Sequence, residues 1–479
     1  MAYKDLREYI RRLEEDNELS QVDAEVDWDL EIGAISRRTL DLRRGALLFN
    51  RVKGYPEGYR VLANLMGPTQ PVQGLMSLAL GFPKNKPVSE LIDWFSRKCE
   101  EYIRPVVVDW APCKENILKG DEVDLLKFPV PRIHGIDGGR YMGTWHIDVI
   151  KDPDTGWVNW ATYRHMLHDQ RRLGWLATPA QQGPALYYEK YEARGEPMPM
   201  AVAIGPDPVS SIAAFAELPP QVNEVEVAGA LQGEPIRLVK CETVDLEVPA
   251  SAEIVLEGYV PPRERAMEGP FGEFTGYNAG GRMLRPVFHV QCVTFRNDPI
   301  LTMSNMGKPW DENAVMSSVM VSAMLAQELR KRGIRFRGVY APPPGLCPIV
   351  AADPRYAGFI HTVASAFFAS KGGGDRPYLV LVGQDVDPTN LEDVFWCLFS
   401  RLHPDRGVHV LKGTQGLPLL PFLSSEERRA MRGAKLLLDA TFPPEWPPEE
   451  VPLVMDFEHG WPQEIREEVL ARWDEYGIK

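Results

Sequence analysis

The sequence predicts an α+β protein of more than one domain, on three observations. Short strand-like runs punctuated by Gly, Pro and Asp fill residues 105–299, a pattern that suggests a β-barrel or sandwich. One long helical stretch follows over residues 312–332. Beyond it, strand-like and helical runs alternate in a βαβ rhythm. At 479 residues the chain also exceeds one ordinary core, so two or three domains are expected.

Taken in order, the chain opens on an amphipathic helix, because Leu6, Ile10 and Leu13 recur at helical spacing, with Asp5 and Glu8 spaced as a capping box. Strand-like runs at residues 46–49 and 59–62 and a helix over 88–102 complete a small α/β unit. In the middle, residues 141–151, 158–166, 200–204, 236–241, 252–256 and 287–295 are the best strands. Asp311 is set to cap the long helix, whose Val315, Val319 and Ala323 share a face and which stops at Gly333. In the last third, residues 336–340 and 379–382 read as strands, and 356–370 and 391–399 as helices. The proline-rich residues 442–448 form an extended connector. Pro462 starts a terminal helix whose Ile465, Val469 and Trp473 stripe packs on its own domain or on a second subunit. The resulting segments are 1–104, 105–310, 311–333, 334–460 and 461–479.

Composition narrows the function. The chain is 44% hydrophobic and 25% charged, as a soluble globular protein is. A net charge of -14 without a basic run argues against a nucleic-acid partner. No apolar run reaches membrane-spanning length, and the start Met1-Ala2-Tyr3-Lys4-Asp5 lacks the marks of a signal peptide, so a cytoplasmic protein with no membrane partner is expected. Six cysteines lie far apart with no Cys-x-x-Cys pair, which points to reduced thiols rather than a zinc ribbon or disulfide framework.

Two constellations carry candidate chemistry. Glu268-Gly269-Pro270-Phe271-Gly272-Glu273 brackets a tight turn with two carboxylates, an arrangement suited either to proton transfer or simply to a solvated surface turn. Asn159-Trp160-Ala161-Thr162-Tyr163-Arg164 puts Asn159 and Arg164 an odd number of positions apart, so a bulge or strand end is needed to bring them to one side. Arg164 is a fixed cation able to grip a carboxylate or phosphate with two N–H groups. Asn, Gln and Glu oxygens suit a hard divalent ion, but Asn159, Gln181 and Glu224 are too far apart in sequence for spacing to single them out.

With Asn223-Glu224-Val225-Glu226, Lys240-Cys241-Glu242-Thr243-Val244-Asp245, Glu253-Ile254-Val255-Leu256-Glu257-Gly258 and Asp385-Val386-Asp387-Pro388, these motifs follow one another through nearly the whole chain as they do in the UbiD-like decarboxylases, which the sequence resembles. The resemblance implies a split β-barrel flavin-binding domain over 105–310, with 1–104 as its N-terminal α/β segment, joined by the 311–333 helix to a C-terminal α/β oligomerisation domain. It implies a prenylated-FMN carboxy-lyase acting reversibly on an aromatic, heteroaromatic or α,β-unsaturated acid and CO2, through a covalent adduct of substrate and flavin. A flavin prenyltransferase supplies the cofactor in such systems, and the assemblies are homodimers or homohexamers. Arg164, Glu268 and Glu273 take the catalytic positions, with Arg164 orienting the carboxylate and Glu273 donating the proton. Asn159, Trp160, Ala161, Gln181, Gln182, Glu224 and Lys371 take cofactor positions, and Asn159, Gln181 and Glu224 would hold Mn²⁺ or Mg²⁺, with K⁺ close by. Glu226 is an alternative register for Glu224.

One position departs from the family pattern. Where most members carry a histidine ligand, this chain has Thr178-Pro179-Ala180-Gln181-Gln182, and the alignment favours Gln181 with Gln182 the neighbouring register. Lys371, before Gly372-Gly373-Gly374, corresponds either to a phosphate-contacting lysine or to a solvated one. Met142, Met306, Trp310 and Leu417-Pro418-Leu419 are candidate pocket walls, apolar enough for a flat ring or alkene. A split barrel holding ordinary FMN as an oxidoreductase, or a non-catalytic cofactor-carrying subunit, are the competing readings. Neither makes use of a Glu-Arg-Glu set.

Overall fold

Alternation of apolar side chains decides where the main sheet sits. In the strand Met198–Ile204, Ala201 and Ala203 join one buried cluster while Met200, Val202 and Ile204 join another on the opposite face. Both faces are therefore covered, which is why these strands read as unbroken apolar runs. The computed structural model describes residues 3–278 and 280–478. Met1, Ala2, Ala279 and Lys479 lie outside the described residues, and with them the first two positions of the signal-peptide argument and the last of the terminal segment.

At the N-terminus Leu6–Glu15 is the expected amphipathic helix, but its capping box is one-sided. Asp5 accepts the Glu8 N–H at 2.8 Å, whereas the Glu8 carboxylate accepts from Lys4 rather than from Asp5. A four-stranded sheet follows in the order Leu19–Val22, Ala46–Phe49, Arg60–Ala63 and Ile300–Met303. Its last strand comes from far along the chain and ties the N-terminal segment to the middle of the protein.

The ten-stranded sheet is drawn from residues 116–295 and curls into a half-barrel around its longest strand, Met283–Phe295. That strand pairs along its length with Arg172–Trp175, Ile254–Val260, Arg265–Glu268 and Asn116–Lys119. Two expected strands are divided, residues 141–151 into Tyr141–Gly143 and His146–Lys151, and residues 158–166 into Val158–Ala161 and His165–Leu167. Two helices that periodicity did not reveal, Pro208–Phe215 and Glu224–Gln232, pack against one another and cover one face. They are short and apolar on nearly every side, so they carry no 3.6-residue signal.

The long helix spans Glu312–Lys331, and Asp311 caps it by accepting the Ala314 N–H at 2.8 Å and the Gly307 N–H at 2.8 Å. It packs on Val88–Lys98 and on Phe359–Phe368, and so connects the middle and the end of the chain. The last region is a five-stranded sheet in the order Gly338–Tyr340, Ile349–Ala351, Tyr378–Val382, Arg432–Ala440 and Val408–Gln415. Its helix Leu391–Arg401 buries only Val394 and Cys397, while Phe395, Trp396 and Phe399 are exposed. The terminal helix Gln463–Ala471 leaves Ile465 and the following Trp473 exposed, so its own domain does not bury the predicted stripe. Among the described residues all six cysteines are free, and no helix is long and apolar enough to cross a membrane.

The cap on the long helix gives a direct check. Asp311→Ala strips the acceptor from the buried Ala314 N–H and the part-buried Gly307 N–H and is expected to lower stability by about 2 kcal/mol, read from the urea midpoint at unchanged m.

Candidate active site

The parity problem between Asn159 and Arg164 is solved by a change of partner. Asn159 lies opposite Ile150 in the pairing of Val158–Ala161 with His146–Lys151; after Ala161 the chain leaves that strand and re-pairs over His165–Leu167 with Arg172–Trp175. Four hydrogen bonds hold the step, three of them buried. Thr162 Oγ1 donates to the His146 carbonyl at 3.0 Å, the Tyr163 N–H donates to Asp148 Oδ2 at 3.1 Å, His146 Nε2 meets the Tyr163 carbonyl at 3.0 Å, and His165 Nε2 meets Asp148 Oδ1 at 2.7 Å. Burial pushes the Asp148 carboxyl up, but the two histidines outweigh it and hold it down to about 2. Burial lowers His165, which as neutral imidazole donates its Nε2 proton to Asp148. The sequence carried a trace of this, an aspartate inside an apolar strand, but not its partner.

Arg164 emerges from that step between the two carboxylates of the glycine-rich loop. Its Nε donates to Glu268 Oε1 at 2.8 Å and its Nη2 to Glu268 Oε2 at 2.9 Å, a two-pronged bond, while Nη1 donates to Glu273 Oε1. The side chains of Arg164, Glu268 and Glu273 are only 11%, 2% and 7% exposed, so the solvated-turn reading fails. The Phe271 ring lies 5.1 Å from the guanidinium carbon, and Tyr141 donates its hydroxyl to Glu268 Oε1 at 3.0 Å. Burial raises the Glu273 carboxyl above the ordinary glutamate range; Arg164 opposes that shift, and the nearby Glu268 and Asp137 carboxylates reinforce it. Burial works against the Arg164 charge, but Glu273 and Glu268 more than restore it, and the guanidinium stays charged.

A second polar cluster lies at the other end of the same segment. Glu224 is the first residue of its helix, and its buried carboxylate accepts from the Trp160 N–H at 2.9 Å and from Asn159 Nδ2 at 3.2 Å. Burial, only partly offset by those bonds, raises its acid to about 7. The glutamine that joins this pair is Gln182, which corrects the Gln181 alignment. Gln182 Oε1 is 3.4 Å from Asn159 Nδ2 and accepts from Lys371 Nζ at 2.7 Å, with its own Nε2 donating to the Leu218 carbonyl at 3.2 Å. Gln181 precedes the helix Gln182–Leu186 and is exposed, one position being enough on a helix start to turn a side chain away. Glu226, two residues beyond Glu224, does not join the cluster; Trp160 is buried and Ala161 half-buried. Asn159 Oδ1 is buried with no hydrogen-bond partner. The Asn159 amide nitrogen faces the Glu224 and Gln182 oxygens, so a half-turn of that amide would bring its orphaned oxygen to them, and Lys371 adds a cation. Carboxylate and amide oxygens of this kind, next to a lysine, would fit a hard divalent ion.

Of the candidate walls, Met142 is buried and Met306 and Trp310 are partly so. The Leu419 carbonyl accepts from Thr275 Oγ1 at 3.3 Å, which sets the 417–419 segment against the acid-bearing loop. Tyr141 and Asp148, both absent from the motif reading, are positioned by long-range pairing.

Three consecutive stretches match the domains of 3-octaprenyl-4-hydroxybenzoate carboxy-lyase: residues 10–95 its N-terminal domain, 106–309 its Rift-related domain and 314–440 its C-terminal domain. The chain belongs to the UbiD family of carboxy-lyases. It is 33% identical to the pyrrole-2-carboxylic acid decarboxylase of Pseudomonas aeruginosa over 99% of this chain and 98% of that one. Among solved UbiD structures, the closed form of the vanillic acid decarboxylase of Sedimentibacter hydroxybenzoicus superposes with a TM-score of 0.90 at 32% identity, covering 100% of both chains. An evolved dimeric form of the UbiD-class enzyme HmfF of Pelotomaculum thermopropionicum, in complex with prFMN, superposes at 0.79 with 30% identity over 94% of this chain and 97% of that one. The relatives thus support decarboxylation of aromatic acids with a flavin cofactor.

The buried step beneath Arg164 is expected to be sensitive. Asp148→Ala leaves the Tyr163 and His165 N–H groups without an acceptor, and thermal unfolding should report a loss of about 3 kcal/mol.

Proposed function

We propose that this UbiD-family chain catalyses the reversible, non-oxidative decarboxylation of an aromatic, heteroaromatic or α,β-unsaturated acid with prenylated FMN as cofactor. The observation that carries the reading is the Arg164 guanidinium held out of water between Glu268 and Glu273. When bound, the modified flavin supplies the electron sink that amino-acid side chains lack for loss of CO2 from an sp² carbon.

The residues do the rest. An arginine side chain has five N–H groups, and the bonds to Glu268 and Glu273 leave one free on each terminal nitrogen. That edge matches the spacing of a substrate carboxylate. Glu268, bonded through both oxygens, fixes the plane of the guanidinium. Glu273, whose carboxyl burial raises against the pull of Arg164, delivers a proton to the carbon that CO2 has left. Asn159, Glu224 and Gln182 would hold Mn²⁺ or Mg²⁺ against the cofactor phosphate with Lys371 alongside, and K⁺ would sit on nearby backbone carbonyls. A flavin prenyltransferase provides the cofactor. The exposed Phe395, Trp396 and Phe399 support self-association through the C-terminal region, as a homodimer or homohexamer. An oxidoreductase using ordinary FMN has no role for the Glu-Arg-Glu set.

CO2 release from a panel of aromatic, heteroaromatic and cinnamic-type acids tests the proton donor. Glu273→Gln is expected to lose at least about 100-fold in kcat while retaining flavin. In the parent the protonated acid is the active form, so kcat holds at low pH and falls as pH rises through a midpoint above the ordinary glutamate value of about 4.3. Parental turnover in Glu273→Gln contradicts the assignment.

The anchor is tested by flavin absorbance after gel filtration. Gln182→Ala and chelator treatment of the parent should each release flavin, whereas Gln181→Ala should not.

A further inference from the structure

The loop that carries both acids is tied down by a stretch the reaction leaves unused, His134-Gly135-Ile136-Asp137-Gly138. Asp137 is buried, and its carboxylate faces three N–H groups. It accepts from the His134 backbone at 2.9 Å, from His134 Nδ1 at 3.1 Å and from the Gly272 backbone at 3.1 Å. Gly272 immediately precedes Glu273.

Contact between the two segments leaves no room for slippage. A Cβ on Gly138 would lie 1.9 Å from the Gly269 carbonyl oxygen, and one on Gly272 would lie 2.6 Å from the His134 ring. Gly138 also donates its N–H to the Pro270 carbonyl at 2.8 Å. Between these bonds Phe271 packs edge-on against His134, with ring centres 5.9 Å apart, while its ring lies 5.1 Å from the Arg164 guanidinium carbon. Position is thereby passed from Asp137 through Gly272 and Phe271 to both Glu273 and Arg164.

A tether for one backbone N–H needs only a neutral acceptor, such as a carbonyl. Here the acceptor is a carboxylate, buried next to an acid that has to keep its proton. Among the charged groups acting on Glu273, Arg164 lowers its carboxyl and Glu268 and Asp137 raise it. An anion in this place does what a carbonyl would not.

We propose that Asp137, braced by His134, is a positioning residue for proton transfer, fixing Gly272 and with it the direction in which Glu273 meets the substrate carbon. The proposal rests on the reading of Glu273 as proton donor. It is tested on the flavin-loaded enzyme by kcat and KM for CO2 release and by the rate at which the product's carbon-bound hydrogen exchanges with D2O, alongside bound-flavin absorbance and thermal midpoint.

Asp137→Ala is expected to lower kcat and exchange together by roughly tenfold, with KM within about twofold and flavin unchanged. Asp137→Asn keeps an acceptor for Gly272 without the charge, and is expected about threefold below the parent. Parental kcat in Asp137→Ala overturns the proposal, as does a loss of rate matched by equal losses of flavin and thermal midpoint in both variants. If the alanine variant does not fold, the asparagine variant decides: a lower kcat at unchanged KM and flavin content supports the proposal, and parental kcat overturns it. Glu273→Gln run in parallel separates the two readings. Parental turnover there removes the proton-donor reading and this inference with it, whereas an inactive Glu273→Gln beside a parental Asp137→Ala removes this inference alone.

Discussion

A guanidinium held out of water by two carboxylates is the interaction on which the rest of the site depends. Burying three ionisable groups is expensive unless each finds a well-aligned partner, and Arg164 meets that cost through a two-pronged bond to Glu268 and a single one to Glu273. The asymmetry sets the chemistry. The carboxylate that takes a single prong, raised by burial and by the nearby Glu268 and Asp137 carboxylates, suits the proposed proton donor. Under the proposed mechanism, two carboxylates in one segment take different roles because Arg164 bonds them differently.

That geometry is supplied by the sheet. Leaving one strand at Ala161 and joining another at His165 places Asn159 and Arg164 where a regular strand would oppose them. Hydrogen bonds from Asp148, His146 and Thr162 hold the step, and apolar clusters cover both faces of the sheet around it. One short segment therefore carries the buried Arg164 at one end and the Asn159 amide of the second polar cluster at the other. Functional groups mounted on a stiff scaffold keep their relative placement better than groups on free loops.

What the sequence made legible follows from how local each signal is. The long helix was readable to within a residue because its cap, apolar face and basic last turn are all contiguous, and the ordered motifs from Asn159 to Asp387 identified the family. The helices Pro208–Phe215 and Glu224–Gln232 escaped because burial on all sides erases the period that would reveal them. Gln181 was preferred to Gln182 because nothing local distinguishes adjacent glutamines; only the turn into the helix decides which one faces Asn159. Asp148 and Asp137 were passed over for a related reason. Each takes its meaning from a partner strand or loop that no spacing rule connects to it, His165 for the one and Gly272 for the other.

The central claim is that the free N–H edge of Arg164 holds the substrate carboxylate, and replacing the guanidinium by a point charge tests it most directly. In flavin-loaded Arg164→Lys, one positive charge remains but the paired N–H edge is lost. The account predicts that kcat/KM for the best acid of the panel falls by roughly 100-fold or more while bound-flavin absorbance stays at the parental level. Parental kcat/KM in that variant would contradict it.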